Sequence, residues 1–205
     1  ELPPGCFVVE PGHEEKLTRA AEETGVNFHA LAELQAETRP VKPLRVGVYQ
    51  RYWGGNIDEG WTRLCLEQHS FSYATLMDEE IKKGGLKDSY EVVILPNDSS
   101  AVITGGEELQ KWWSENMRGW ELPDYPPEYR GGLGEEGKKA LKEFVEKGGT
   151  LLCLGESSMY AVETLGLKVA NVLEKLPSKE CHCPGSTLHI DVDTEHPVAY
   201  GMQED

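Results

Sequence analysis

Basic residues are scarce in this chain: 20 lysines and arginines stand against 36 aspartates and glutamates in 205 residues, a formal charge of -16. A surface of that sign repels polyanions, which argues against nucleic acid as a partner. Long hydrophobic runs are missing too. No apolar stretch approaches the ~20 residues that a membrane span needs, so none is expected. Cysteine is sparse and odd in number, five in all, and only Cys181 and Cys183 lie close together. That pattern does not build a disulfide framework. Cys65 in "TRLCLEQ" and Cys153 in "TLLCLG" read as small buried hydrophobes. The opening "ELPPGCFVVEPG" has neither an initiator Met nor a basic stretch followed by an apolar one. A fragment is expected, with any localisation signal upstream of it.

What is present suits a loop-rich α/β protein: 39% hydrophobic residues, 22 Gly and 12 Pro. "CFVVE" and "HEEKLTRAAEETG" predict a short strand and a helix, with Leu17, Ala20 and Ala21 on one face and Gly25 closing it. "VNFHALAELQ" fits strand or helix, and the prolines of "AETRPVKPLR" mark a linker. Residues 1–40 are therefore assigned to a small N-terminal strand-helix unit and linker, and residues 41–205 to the main domain. From Leu44 strand and helix signals alternate. "LRVGVYQ", "SYATL", "YEVVILPND" and "TLLCLG" read as strands, with helices "DEGWTRLCLEQHS", "GEEGKKALKEFVEKGG" and "SSMYAVETLG" between and after them. Asn56 or Asp58 is placed to cap the first of these. Such an order, with apolar strands covered on both faces, predicts a doubly wound, mainly parallel sheet.

Ligands of such sheets sit at the carboxyl ends of the strands. Asn97 and Asp98 after one strand, and Gly155, Glu156, Ser157 and Ser158 after another, are the candidate crevice residues. The second group lies in a strand-turn-helix elbow, a shape that can present a nucleophile, and Cys153, Ser157 and Ser158 are on offer there. Between the two, Ile103 to Gly134 lacks strong periodicity yet carries Trp112, Trp113, Trp120, Tyr125 and Tyr129. A long aromatic excursion of this kind is a lid, a docking surface or a self-packed loop. The lid alternative places it over the crevice.

The blocks "RVGVYQRYWGGNIDEGWTRLCLEQHSFSYATL", "VVILPNDS", "PPEYRGGLGEEGKKALKEFVEKGGTLLCLGESS" and "CPGSTLHIDVDTEHPVAYGM" together resemble the class I glutamine-amidotransferase-like domain of certain microbial zinc carboxypeptidases of the A/T type. The resemblance runs from about Cys6 to Met202 and implies a flavodoxin-like sheet. It also implies a parent metallocarboxypeptidase, a zinc-dependent hydrolase secreted or periplasmic in many members, whose peptidase domain lies upstream. Such peptidases hold zinc with His-x-x-Glu and a later His, and none of His13, His29, His69, His182, His189 and His196 has Glu at the third position after it. Zinc therefore belongs to the parent peptidase domain, and no cofactor is expected in this chain. After "HPVAYGMQED" the sheet of such domains would normally continue, so truncation at the C-terminus is part of the expectation.

Working amidotransferases of this class carry Gly-x-Cys-x-Gly at the elbow. Here Cys153 is flanked by Leu151 and Gly155, and Ser157 by Gly155 and Met159, each half a match. An apolar strand also opposes thiolate formation at Cys153. Of the family's late His-x-Glu, the nearest approach is His189 with Asp191, which an alternating strand "STLHIDVD" would place on one face. "CHC" at Cys181 to Cys183 lacks the second half of a zinc site. "YWGGNIDEG" could cradle an anion, but Asp58 and Glu59 occupy that helix start.

The leading expectation is a non-catalytic accessory domain whose partner is the peptidase domain of the same parent chain. One alternative is a small hydrolase or amidotransferase using Ser157 or Cys153 with His189 and Asp191. Another is a module binding a peptide or glycan through the aromatic excursion. Oligomeric state is not legible in the sequence.

Overall fold

The computed structural model describes residues 6–34, 37–52, 55–122, 124–126, 129, 131–173, 176–177, 179–183, 185–200 and 202. Two runs without a charged residue, β1 (Val46–Tyr49) and β3 (Val92–Leu95), lie inside a sheet and are covered on both faces, as largely apolar strands require. β2 (Tyr73–Leu76) pairs with the outer side of β1 and β4 (Thr150–Cys153) with the outer side of β3. All three ladders are parallel and the order is β2-β1-β3-β4. This is a doubly wound α/β sheet with the first four positions of the flavodoxin-like 2-1-3-4-5 order.

One face of the sheet holds most of the core. Tyr49, Leu76, Val93 and Leu95 pack there against Ile81 of α3 (Asp78–Lys82), Leu86 of α4 (Leu86–Ser89) and Ile103 of α5 (Ser100–Thr104). Leu141 and Phe144 of α7 (Gly134–Glu146) and Tyr160 of α8 (Ser157–Leu165) complete it. On the other face Val46, Val48 and Ile94 meet Leu66 of α2 (Ile57–Gln68). Because that helix turns position 66 inward, Cys65 beside it is exposed, against its reading as a buried hydrophobe. No helix among the described residues is long and apolar enough to cross a membrane.

The chain divides into two compact units, Lys42–Val172, which carries the sheet, and Glu1–Val41 with Leu173–Asp205. The second unit thus includes residues that the sequence reading placed in the main domain. It contains α1 (Glu14–Thr24), capped by Gly25 in the left-handed region at φ 73°. "CFVVE" forms no strand: Phe7 is 81% exposed, and an extended segment without a ladder partner leaves its backbone groups to water. "STLHIDVD" is likewise without a ladder, and Leu188 and Ile190 are exposed.

The aromatic excursion is more regular than its sequence suggested. α6 (Gly106–Asn116) runs through its first third and buries Leu109. The helix begins at two consecutive glycines, which mask its start, while Leu109, Trp112 and Trp113 hold the i, i+3, i+4 spacing of one face. The two ends of the excursion meet at a neck. Gly105 and Gly132 pass back to back, and a Cβ on Gly132 would stand 2.6 Å from Thr104 O. Leu133 N donates to Ile103 O at 2.7 Å. Buried Asp78 accepts from Gly132 N at 3.0 Å and from the Tyr49 hydroxyl at 2.7 Å, tying the neck to the end of β1.

Two stability predictions follow from this backbone. Gly132→Ala, at φ 99° and with no room for a Cβ, is expected to cost at least about 2 kcal/mol in urea unfolding. Gly60→Ala, within α2 and facing open space, should instead stabilise by up to about 1 kcal/mol.

The open ends of β1 and β3 are joined by a clamp in which Glu91 accepts from Arg45 Nε at 3.0 Å and from its backbone N–H at 2.8 Å. Hydrogen bonding to the Arg45 side chain lowers the Glu91 carboxyl from 4.5 to about 2. A depressed carboxylate stabilises the fold above its unfolded value and loses that contribution as pH falls through the folded one. The difference in melting temperature between wild type and Glu91→Gln should therefore shrink as pH is lowered from 4.5 to about 2.

Candidate functional site

Three segments leave the sheet at its carboxyl edge and enclose an open crevice of about 580 Å³. After β1 come Arg51, Gly55 and Asn56, after β3 the run Asn97-Asp98-Ser99, and after β4 Glu156. Trp112 of α6 forms a fourth side. The excursion thus contributes one of its tryptophans to the crevice.

Side-chain amides knit the floor together. Asn56 is the N-cap of α2, its Oδ1 accepting from Asp58 N at 3.0 Å and Glu59 N at 3.2 Å. Its Nδ2 donates to Asn97 O at 3.1 Å and Asp98 Oδ2 at 3.2 Å. Asn97 in turn donates from Nδ2 to Asp58 Oδ2 at 3.0 Å and accepts Glu156 N at 2.8 Å on Oδ1. Arg51 pairs with Asp98 at 2.7 Å and also donates to Gly55 O. Burial pushes the Asp98 carboxyl up, Arg51 opposes that, and the nearby Glu156 charge adds to the rise.

The elbow after β4 has the shape of a nucleophile turn without a nucleophile at its strained point. Its left-handed residue is Gly155, at φ 59°, which carries no side chain. A Cβ there would stand 2.7 Å from Asn97 Cγ, so the site requires glycine. Ser157 is wholly buried, its Oγ 2.7 Å from Leu154 O and 2.9 Å from Leu95 O, so backbone acceptors hold its proton. Ser158 is exposed and donates to Gly155 O at 2.6 Å. The Cys153 thiol is half-buried and is pushed up to about 11 by burial, which opposes thiolate formation at neutral pH. The Glu156 N–H that could stabilise an oxyanion is already bound by Asn97.

The remaining sequence candidates belong to other segments of the chain. His189 and Asp191 belong to the unit formed by Glu1–Val41 and Leu173–Asp205 and are exposed there. The strand that was to align them does not form. Among the described residues no group of three or more His, Cys, Asp or Glu could hold a metal ion, Cys181 to Cys183 included. Trp113 meets Trp112 edge-on at 6.5 Å between centroids and donates to Trp120 O at 2.9 Å, while the Trp120 side chain is 77% exposed. Tyr129 stacks on Tyr52 at 4.7 Å and Tyr125 is half-buried. Residues 53–54 of "YWGGNIDEG" lie outside the described residues, but the helix start beyond them is capped by Asn56.

Arg51 and the Asn56–Asn97 contact were not anticipated as parts of a site. The available signal was position: Arg51 follows a strand whose end the fold class turns toward ligands. No protein-family model matches the chain, and neither a curated protein nor a solved structure does.

Cys153 supplies a chemical check on the elbow. At pH 7.5 its thiol should react with iodoacetamide at least about 10-fold more slowly than exposed Cys6, Cys65 and Cys183, as read by mass spectrometry.

Proposed function

We propose that this chain is a non-catalytic, amidotransferase-like accessory domain of a zinc metallocarboxypeptidase. The single observation that carries the non-catalytic part is the elbow, where Gly155 fills the strained position and Asn97 occupies the adjoining Glu156 N–H. A turn so filled keeps its packing role and has nowhere to place an attacking atom. The metallocarboxypeptidase part rests on the sequence resemblance. In that reading zinc and hydrolysis belong to the peptidase domain of the parent, which is secreted or periplasmic, and this domain serves docking, stability or substrate access.

A second reading, a peptide- or glycan-binding module, is favoured by the presence of Trp112 in the crevice wall. Aromatic side chains offer large contact area at low entropic cost, and crevices at strand ends are the usual ligand sites of this fold class. The two readings are compatible, since an accessory domain can present substrate by binding it.

The chain by itself should hydrolyse neither glutamine nor C-terminal peptide bonds, with or without added zinc. Turnover that is abolished by Ser157→Ala or Cys153→Ala would overturn the non-catalytic reading. Joined to its upstream peptidase domain, it should raise that domain's melting temperature or lower its KM for peptides, and leaving both unchanged would remove the accessory role.

A further inference from the structure

Three helices, α2, α5 and α8, start at the crevice, an arrangement that in other α/β proteins gathers anions on free N–H groups. Here five of those donors are spent internally. Asn56 takes the amides of Asp58 and Glu59, Asp98 takes that of Ser99 at 3.1 Å, the Ser99 hydroxyl takes that of Val102 at 3.3 Å, and Asn97 takes that of Glu156. Arg51, the single cation among the described lining residues, is held by Asp98 and Gly55 O.

What the crevice offers a ligand is therefore acceptor and π surface. The described lining residues hold three carboxylates, Asp58, Asp98 and Glu156, and one guanidinium, an excess of two negative charges. Glu156 is exposed, and its charge adds to the rise that burial chiefly imposes on the Asp98 carboxyl, a repulsion that an incoming cation would relieve. Trp112 adds an indole, the side chain with the strongest attraction for cations. A net charge of -16 steers cations toward this surface and anions away.

We propose that the crevice binds the side chain of a basic residue, arginine or lysine, between the indole of Trp112 and the carboxylates of Glu156 and Asp58. The volume of about 580 Å³ accommodates one such residue with its own backbone. A guanidinium is the better fit of the two, because it stacks flat on an indole while donating in its plane to carboxylates. The inference rests on the binding-module reading and supplies its ligand chemistry; it does not depend on the parent peptidase.

The test is calorimetric titration of the chain with Nα-acetyl-arginine amide, its lysine counterpart and the neutral isostere Nα-acetyl-citrulline amide. Inorganic phosphate, a neutral tripeptide and a small set of oligosaccharides serve as further probes. The arginine derivative should bind with Kd on the order of 0.1–1 mM at low salt, about 10-fold tighter than the citrulline one. That preference should weaken as salt is raised toward physiological strength. Glu156→Gln, at an exposed side chain, and Trp112→Leu, which keeps an apolar cover, should each weaken arginine binding about 5-fold and leave citrulline unchanged. Circular dichroism confirms that each variant is folded.

Equal binding of arginine and citrulline, arginine binding indifferent to both substitutions, or preferential binding of phosphate would overturn the proposal. If a neutral peptide or an oligosaccharide binds and only Trp112→Leu removes it, the binding-module reading stands and the cationic ligand is wrong. If no probe binds up to about 10 mM, both are wrong.

Discussion

Asn97 sits at the point where the exits of three strands meet, and its amide is used on both sides. Nδ2 holds Asp58 at the start of α2, and Oδ1 holds the Glu156 N–H at the turn into α8. The residue follows β3, so one side chain joins the segments after β1, β3 and β4. It approaches Gly155 so closely that no Cβ could stand there. The same contact that closes the floor of the crevice thus dictates a glycine at the elbow's strained position.

From that constraint the electrostatic character of the site follows. Five amide donors at the helix starts are taken by Asn56, Asn97, Asp98 and Ser99, and Arg51 is paired with Asp98. Internal satisfaction of this kind makes a rigid floor, because these groups are already paired before any ligand arrives. It also reverses the usual preference of the fold: a crevice ringed by helix N-termini becomes acidic and accepting. The glycine neck at Gly105 and Gly132, pinned by Asp78, brings the excursion back to the core after it has delivered Trp112 to the wall.

Much of this was legible in the residues. Unbroken apolar runs such as "VVIL" identified the inner strands, their alternation with helices gave a parallel sheet, and the fold class directed attention to Asn97, Asp98 and Glu156. What escaped depends on contacts between distant positions. Asn56 and Asn97 are 41 residues apart, and either alone reads as a loop residue or a cap. α6 was hidden by Gly105 and Gly106 before it and the prolines beyond it, although Leu109, Trp112 and Trp113 keep helical spacing. "CFVVE" and "STLHIDVD" failed in the other direction: their composition favours strands, but neither has a neighbour to complete a ladder.

Amide hydrogen exchange at Glu156, followed by NMR with and without added phosphate, tests most directly whether the crevice has given up its donors. In the wild-type chain that amide should be protected and its chemical shift indifferent to phosphate, while Asn97→Ala should exchange rapidly there and acquire a phosphate-dependent shift. A wild-type Glu156 amide that exchanges freely, or that moves on phosphate addition, would contradict the donor-depleted crevice.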